Sequence, residues 1–160
     1  MKRTVRSDIG EVTVRETGLV YAKAFPGAEI NLKEAKEYHS MNELLSINTS
    51  NRIILDLRMA EQLVAKCIEL KDGSSEQTTM VFDMSKTAFI TEEARTYITG
   101  IGSLECGTRA LALVSDNHLG NVVSTLMIAY GESDNLPMKL FKSYPEAENW
   151  LMQEMKSVAA

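Results

Sequence analysis

The sequence predicts an α/β domain with a mixed β-sheet, in which an N-terminal β-hairpin is followed by alternating parallel β-α units. Three observations predict it. Two short strand-like runs lie on either side of Thr17-Gly18, which is typical of a hairpin. Strand and helix patterns then alternate over residues 78–157, which favours parallel strands joined by right-handed crossovers. Residues 109–114 are almost entirely apolar, as expected for a strand that is covered on both faces.

Length and composition bound the class of protein. The chain has 160 residues, of which 44% are hydrophobic and 24% charged, so we expect residues 1–160 to form a single globular domain. The net charge of −5 disfavours a nucleic-acid partner and binding to anionic membranes, because both need a basic surface. No run approaches the roughly 20 apolar residues of a membrane span, so no stable membrane insertion is expected.

The amino terminus lacks the apolar core of a signal peptide, so we expect a cytoplasmic protein. Cys67 and Cys106 should then stay reduced. They have no CxxC spacing, and we interpret them as buried thiols without a metal or redox role.

The first half of the chain contains one clear helix and one ambiguous segment. Asn31 and Glu34 have the spacing of a capping box, and a helix is predicted over 32–46. In segment 52–71 a helical apolar stripe favours a helix over most of the length, but 52–57 also has the composition of a buried strand. Both interpretations stay open, and residues 72–77 form the clearest predicted loop.

The second half is more regular. Strands are predicted over 78–84, 109–114 and 138–141. Thr91 should cap a helix that extends to about residue 104, and Gly107 lies just beyond its end. Asp116 or Asn117 should begin the next helix, with Leu119, Val122, Val123, Leu126 and Tyr130 on its apolar side. Ser143 to Glu146 is a second capping-box pattern, and the last helix should be amphipathic.

The order of elements, together with the run Val81-Phe82-Asp83-Met84-Ser85-Lys86-Thr87-Ala88-Phe89-Ile90-Thr91-Glu92-Glu93-Ala94, resembles the STAS superfamily of anti-sigma-factor antagonists, which have the SpoIIAA-like fold. The family pattern is a strand that ends in Asp-Leu-Ser, a Phe-Ile pair, and Asp-Ser-Ser-Gly at the start of a helix. The chain is most similar to an uncharacterised bacterial branch labelled STAS/SEC14-like. That likeness covers about residues 11–47 and 78–155, which makes 48–77 either an insertion or an extended helix and loop.

One position departs from the family pattern. The resemblance places the phosphorylated serine of the antagonists at Glu92, where no phosphate can be added. A carboxylate carries about one negative charge against nearly two for phosphoserine. The resemblance therefore implies a regulatory domain without the phosphoserine switch. Stabilisation of the helix dipole also explains acidic residues at Glu92 and Glu93 without any function.

Few residues suggest catalysis, and we expect no enzyme, no catalytic residues, no cofactor and no metal site. His39 and His118 are far apart, and neither has a second ligand at helical spacing. His118 follows a strand, beside Ser115 and Asp116, where open α/β sheets often bind ligands. A convergent cluster of Asp83, Ser115 and His118 would be needed to support an enzyme.

Two functions remain. The first is a regulatory module that binds an unknown protein partner through Ser85, Thr91, Glu92, Glu93 and Arg95. The alternative is a carrier of a small apolar, lipid-like ligand, with a pocket lined by Leu113, Val122, Leu126 and Phe141. A homo-oligomer is a further expectation, for which the C-terminal helix with Trp150, Met152 and Met155 is the predicted contact strip.

Overall fold

A computed structural model describes residues 3–6, 10–14, 19–24, 53–71, 77–131 and 136–159. The predicted helix 32–46, the Thr17-Gly18 turn and the loop 72–76 lie outside these ranges. The strands are β1 (Arg3–Arg6), β2 (Gly10–Val14), β3 (Val20–Ala24), β4 (Ile53–Leu55), β5 (Thr78–Asp83), β6 (Thr87–Ile90), β7 (Thr108–Val114) and β8 (Met138–Phe141). The helices are α1 (Leu57–Lys71), α2 (Glu92–Thr99), α3 (Ile101–Cys106), α4 (His118–Ala129) and α5 (Tyr144–Ala159).

The main sheet has six strands in the order β1-β2-β3-β5-β7-β8. Strands β1, β2 and β3 pair antiparallel, whereas β3, β5, β7 and β8 are parallel neighbours. The predicted fold class is therefore confirmed: a hairpin supplies the antiparallel part, and β-α units supply the parallel part. Strand β1, which the sequence did not predict, pairs with β2 from Arg3 opposite Val14 to Arg6 opposite Glu11.

Strand β7 separates two apolar clusters because its side chains alternate between the faces of the sheet. Leu111 and Leu113 join the larger cluster, with residues of α1, α2 and α4. Ala110, Ala112 and Val114 join the smaller cluster, against α5. The predicted strand covered on both faces is confirmed.

The C-terminal helix differs from its prediction. Trp150, Met152 and Met155 are half-buried and pack against the smaller cluster, so they form part of the core edge and not an exposed strip. The described residues with large, exposed apolar side chains lie elsewhere: Ile68, Ile101, Leu104, Val122, Ile128 and Tyr130.

Segment 52–71 contains both predicted alternatives, a strand followed by a helix. Ile53–Leu55 forms the short strand β4, and the helix begins at Leu57. Asp56 separates them: its Oδ1 accepts a hydrogen bond from the Met59 amide at 2.9 Å, which is an N-cap contact. Helix α1 buries six residues, including Cys67. That 48–77 is an insertion stays a prediction.

Strand β6 was missed by the sequence analysis. It pairs in parallel with β4 to form a separate two-stranded sheet. The chain leaves β5 at Met84, and the Met84 carbonyl accepts a hydrogen bond from the Thr87 amide at 3.0 Å, which closes a tight turn into β6. The Thr91 amide then donates to Leu55 O at 3.1 Å, so β4 helps to position the start of α2.

The predicted helix 91–104 is two helices. Thr91 caps α2 through a bond from the Ala94 amide to its Oγ1 at 3.1 Å, as predicted. Gly100 then interrupts the helix with φ −118° and ψ −107°. Helix α3 follows and ends at Gly107, whose φ of 66° is left-handed and favours glycine. The break turns α3 so that Ile101 and Leu104 are exposed.

Replacing Asp56 with alanine should destabilise the protein by about 0.5–2 kcal/mol, because the start of α1 loses its side-chain acceptor. Asp56→Asn keeps an oxygen acceptor and should lose clearly less. Urea denaturation followed by circular dichroism measures both. Equal losses in the two variants would contradict a capping role for the Asp56 oxygen.

Candidate functional site

Polar side chains meet at the carboxyl ends of the parallel strands. Asp83 ends β5, and its Oδ1 accepts a hydrogen bond from the Ser85 amide at 3.0 Å. Its Oδ2 accepts a hydrogen bond from the Tyr144 hydroxyl at 2.6 Å. Both carboxylate oxygens of Asp83 therefore hold neighbouring loop and helix residues in place.

A second group of hydrogen bonds lies just beyond the end of β7. Asn117 caps α4: its Oδ1 accepts from the Gly120 amide at 3.0 Å, and its side-chain amide donates to the Ser85 carbonyl. The buried Ser115 hydroxyl donates to Asn117 O at 3.2 Å. These hydrogen bonds connect the loop that follows β5 to the loop that follows β7.

Asp83 and Ser115 thus lie at neighbouring strand ends, but His118, the third residue that a catalytic cluster would need, has an exposed side chain at the start of α4. The polar groups of the cluster bond to one another, which gives them a structural role. Among the described residues, no three of the His, Cys, Asp and Glu side chains are grouped to hold a metal ion. No helix within the described ranges is long and apolar enough to cross a membrane.

The five residues predicted for partner binding separate into two groups. Thr91 is buried as the cap of α2, and Ser85 is half-buried in the β5–β6 turn. Arg95 is also half-buried, with its guanidinium 5.6 Å from the centre of the Tyr130 ring. Glu92 and Glu93 are exposed. Of the predicted set, these two glutamates are the residues that present charge on the outer surface of α2.

The two glutamates border an open groove of about 430 Å³ along α2 and α3, hereafter the α2–α3 groove. Its described lining consists of Glu92, Glu93, Thr96, Tyr97 and Ile101. Ile101 is 62% exposed, and Leu104 on the same short helix is 82% exposed. In an unbroken helix, Ile101 would lie on the same side as the buried Ala94 and Ile98; the break at Gly100 turns it outward.

The α2–α3 groove is electrostatically negative. The pKa of Tyr97 is raised above its ordinary value, first because the phenol is partly desolvated and then by the negative charges of Glu105 and Glu61. Both carboxylates favour the protonated phenol, because a phenolate would be a second negative charge beside them. Glu61, Glu92, Glu93 and Glu105 are all exposed, so acidic side chains surround an apolar strip.

The four residues predicted for an apolar-ligand pocket do not line one cavity. Leu113 is fully buried in the larger cluster, whereas Phe141 packs against the smaller cluster on the other face of the sheet. Val122 is 44% exposed and Leu126 is half-buried. Helix α4 turns Val123 and Met127 inward instead, because it packs against β6 and β8.

A small apolar cavity does lie in the larger cluster. Its volume is about 20 Å³, and its described lining includes Leu63, Phe82, Ile98, Cys106 and Leu111. That space suits about one water molecule and is far below the several hundred Å³ of a small-molecule site.

The two cysteines meet beside this cavity. Cys67 and Cys106 are buried and free, and the Cys106 thiol lies 3.6 Å from Val64 O, as a donor. The electrostatic interaction of the two thiol groups lowers the pKa of Cys67 and, together with burial, raises that of Cys106. Lys71 donates to Cys106 O at 2.8 Å and joins the ends of α1 and α3. The sequence predicted buried thiols, but not that their pKa values are linked.

Taken together, these features define a small α/β domain with an open acidic groove on its helical face. The chain belongs to a family described as a domain of unknown function, DUF7793, which matches residues 38–155. No curated protein matches the sequence.

Among solved structures, the chain is similar to an uncharacterised protein of the DUF3478 family from Shewanella loihica, described as having a SpoIIAA-like fold. The two are 12% identical, the match covers 94% of this chain and 92% of the other, and the TM-score is 0.48.

Replacing Gly120 with alanine should destabilise the protein by about 1–3 kcal/mol. A Cβ at this position would lie 2.2 Å from Ser115 Oγ and 2.5 Å from Met84 O, so the strand-end loops would have to move apart. Thr125→Ala, an exposed change on the same helix, should have an effect within about 0.5 kcal/mol. Chemical denaturation compares the two, and equal stability of both variants would contradict the tight contact.

Replacing Glu105 with glutamine should lower the pKa of Tyr97 part of the way to its ordinary value. The change removes a negative charge near the phenol, while its desolvation remains. Ultraviolet absorbance of the phenolate against pH measures this, with Tyr97→Phe to identify the Tyr97 contribution. Glu146→Gln removes a distant charge and should leave the titration unchanged. Identical titration of Glu105→Gln and the unmodified protein would contradict the electrostatic origin of the shift.

Proposed function

We propose that this chain is a non-enzymatic, cytoplasmic regulatory module that binds a protein partner through the α2–α3 groove. The observation that carries the proposal is the combination of exposed apolar side chains and surrounding carboxylates. Ile101, in the lining of the groove, is 62% exposed, and Glu92 and Glu93 border the same groove. Exposed apolar surface within a polar rim is typical of protein interfaces.

The chemistry of the groove selects the partner. Lysine or arginine side chains would face Glu92 and Glu93, while leucine or aromatic side chains would cover Ile101. A basic amphipathic helix has both in one segment. The same negative charge disfavours nucleic acid, whose phosphates would be repelled.

Two features support a binding role over catalysis. The polar cluster at the strand ends is hydrogen-bonded within itself, with Asp83 bonded to Ser85 and Tyr144. The groove, by contrast, is lined by carboxylates, a hydroxyl, a phenol and an apolar side chain in an open position. An open groove can be covered by a macromolecule. An active site, in contrast, usually excludes water from the reacting groups.

We further propose that the module works without the phosphoserine switch. Glu92 is the first residue of α2 and follows the cap Thr91, where its charge stabilises the helix at all times. A carboxylate cannot be added and removed by a kinase and a phosphatase. Binding at this surface would then depend on the concentration of the partner and not on modification of Glu92.

Affinity capture from host cells tests the proposal with Glu93→Lys and Ile101→Glu as baits. Each change should remove proteins that the unmodified chain captures, because one reverses a rim charge and the other places a charge in the apolar strip. Glu146→Lys is the matched control: Glu146 is also exposed and in the first turn of its helix, α5. It should retain the partners.

Quantitative mass spectrometry of the captured proteins gives the readout, with circular dichroism to verify that each bait is folded. The expected specific partner contains a basic segment and is retained by Glu146→Lys. Retention of every partner by both groove variants would overturn the proposed surface.

A further inference from the structure

The two cysteines of the chain are far apart in sequence, but the fold brings them to one place. Cys67 belongs to α1 and Cys106 ends α3, and both are buried in the larger cluster, at 0% and 1% exposure. The Cys106 Sγ lies 3.6 Å from Val64 O. Val64 is one helical turn before Cys67, and a helical side chain lies over the turn before its own residue. Both thiols are therefore placed beside the same backbone carbonyl.

The electrostatics of the pair give the two thiols different reactivity. The pKa of Cys67 lies below its ordinary value, because the interaction with the Cys106 thiol and the charge of Lys71 outweigh burial. The pKa of Cys106 is raised by the same interaction and by burial. The thiolate is the nucleophilic form of cysteine. Cys67 is therefore the sulfur that reacts first with an oxidant, and Cys106 the sulfur that follows.

The packing around the pair leaves room for a small movement. Cys106 lines the cavity of about 20 Å³ in the larger cluster, so its side chain has free space beside it. Helix α3 has six residues between Gly100 and Gly107, and Leu104 on its outer side is 82% exposed. A short element with an exposed face opens locally at a lower free energy than the core does. A small oxidant can thus reach the pair from the side of α3.

We propose that Cys67 and Cys106 form a reversible intramolecular disulfide, which joins α1 to α3 when the chain meets a hydroperoxide. The Cys67 thiolate attacks the peroxide, the O–O bond breaks, and Cys67 becomes a sulfenic acid. The departing oxygen takes up the proton that the thiol had released, and leaves as an alcohol or, from hydrogen peroxide, as water. The Cys106 sulfur then attacks the Cys67 sulfur, and the hydroxide that it displaces leaves as water with the Cys106 proton. The two thiols have together lost two electrons and two protons, and the peroxide has been reduced.

The disulfide would add a covalent link where α1 and α3 already meet. In the reduced chain the Lys71 ammonium donates to Cys106 O at 2.8 Å. In a reducing compartment such a disulfide is transient, because cellular thiols reverse it. Ile101 on the same short helix lines the α2–α3 groove, so oxidation would also hold one wall of the groove in place. That consequence rests on the proposed function, whereas formation of the disulfide does not.

Mass spectrometry of the folded full chain after treatment with hydrogen peroxide tests the proposal. The chain has two cysteines, so a monomer whose cysteines have together lost two hydrogen atoms contains this disulfide. Iodoacetamide blocks the remaining thiols, peptide mapping separates the change from oxidation of methionine, and dithiothreitol should restore the reduced form. Cys106→Ser should stop at the sulfenic acid of Cys67, which dimedone traps. Cys67→Ser, the matched control, should give at least about tenfold less dimedone adduct.

The chain unfolded in urea is the reference for access of the oxidant. A disulfide that forms in the unfolded chain but not in the folded chain would overturn the proposal, as would one that joins two chains. Amide hydrogen exchange of α3 should be slower in the oxidised chain, and equal or faster exchange would contradict the joining of α1 to α3. These measurements use the unmodified chain, so they decide the question even if a serine variant does not fold. They need no partner, so failure of the groove proposal in affinity capture would leave their result unchanged.

Discussion

Strand β7 has to bury both of its faces, and the rest of the structure depends on that requirement. From Ala110 to Val114 every side chain is at least 96% buried, since the most exposed of them, Val114, is 4% exposed. A strand of this kind needs helices above and below the sheet. Helices α1, α2 and α4 supply apolar residues on one face, and α5 covers the other. The parallel pairing to β5 and β8 then brings the strand-end loops together, where Asp83, Ser115 and Asn117 connect them.

Much of this arrangement could be predicted because its causes are local. The apolar run of β7, the cap residues Thr91 and Asn117, and the hairpin strands all lie close to their expected positions. Strand β6 could not be found in the same way, and β4 was one of two open interpretations of 52–57. They have three and four residues, too few for a periodic signal, and their pairing joins Leu55 to Ile90 across the chain.

The surfaces were harder to predict than the fold, because exposure depends on tertiary packing. Val122 and Val123 are adjacent and chemically identical, and a helical stripe can include either of them. The contacts of α4 with β6 and β8 decide that Val123 is buried and Val122 is not. Likewise, the spacing of apolar residues would place Ile101 on the buried side of a continuous helix, but α2 ends at Gly100, before Ile101. The candidate groove follows from one backbone break that the spacing of apolar residues does not reveal.

Charge divides the helical surface into two parts with different chemistry. The α2–α3 groove is bordered by the carboxylates of Glu92 and Glu93, whereas α4 contains no Asp, Glu, Lys or Arg. Arg95 connects the two, because it belongs to α2 and its guanidinium stacks near Tyr130 at the end of α4. Its Nε is buried and has no hydrogen-bond partner among the described residues, so the ring is the described contact that compensates this cation. A partner in the groove that drew Arg95 away would free the Tyr130 ring.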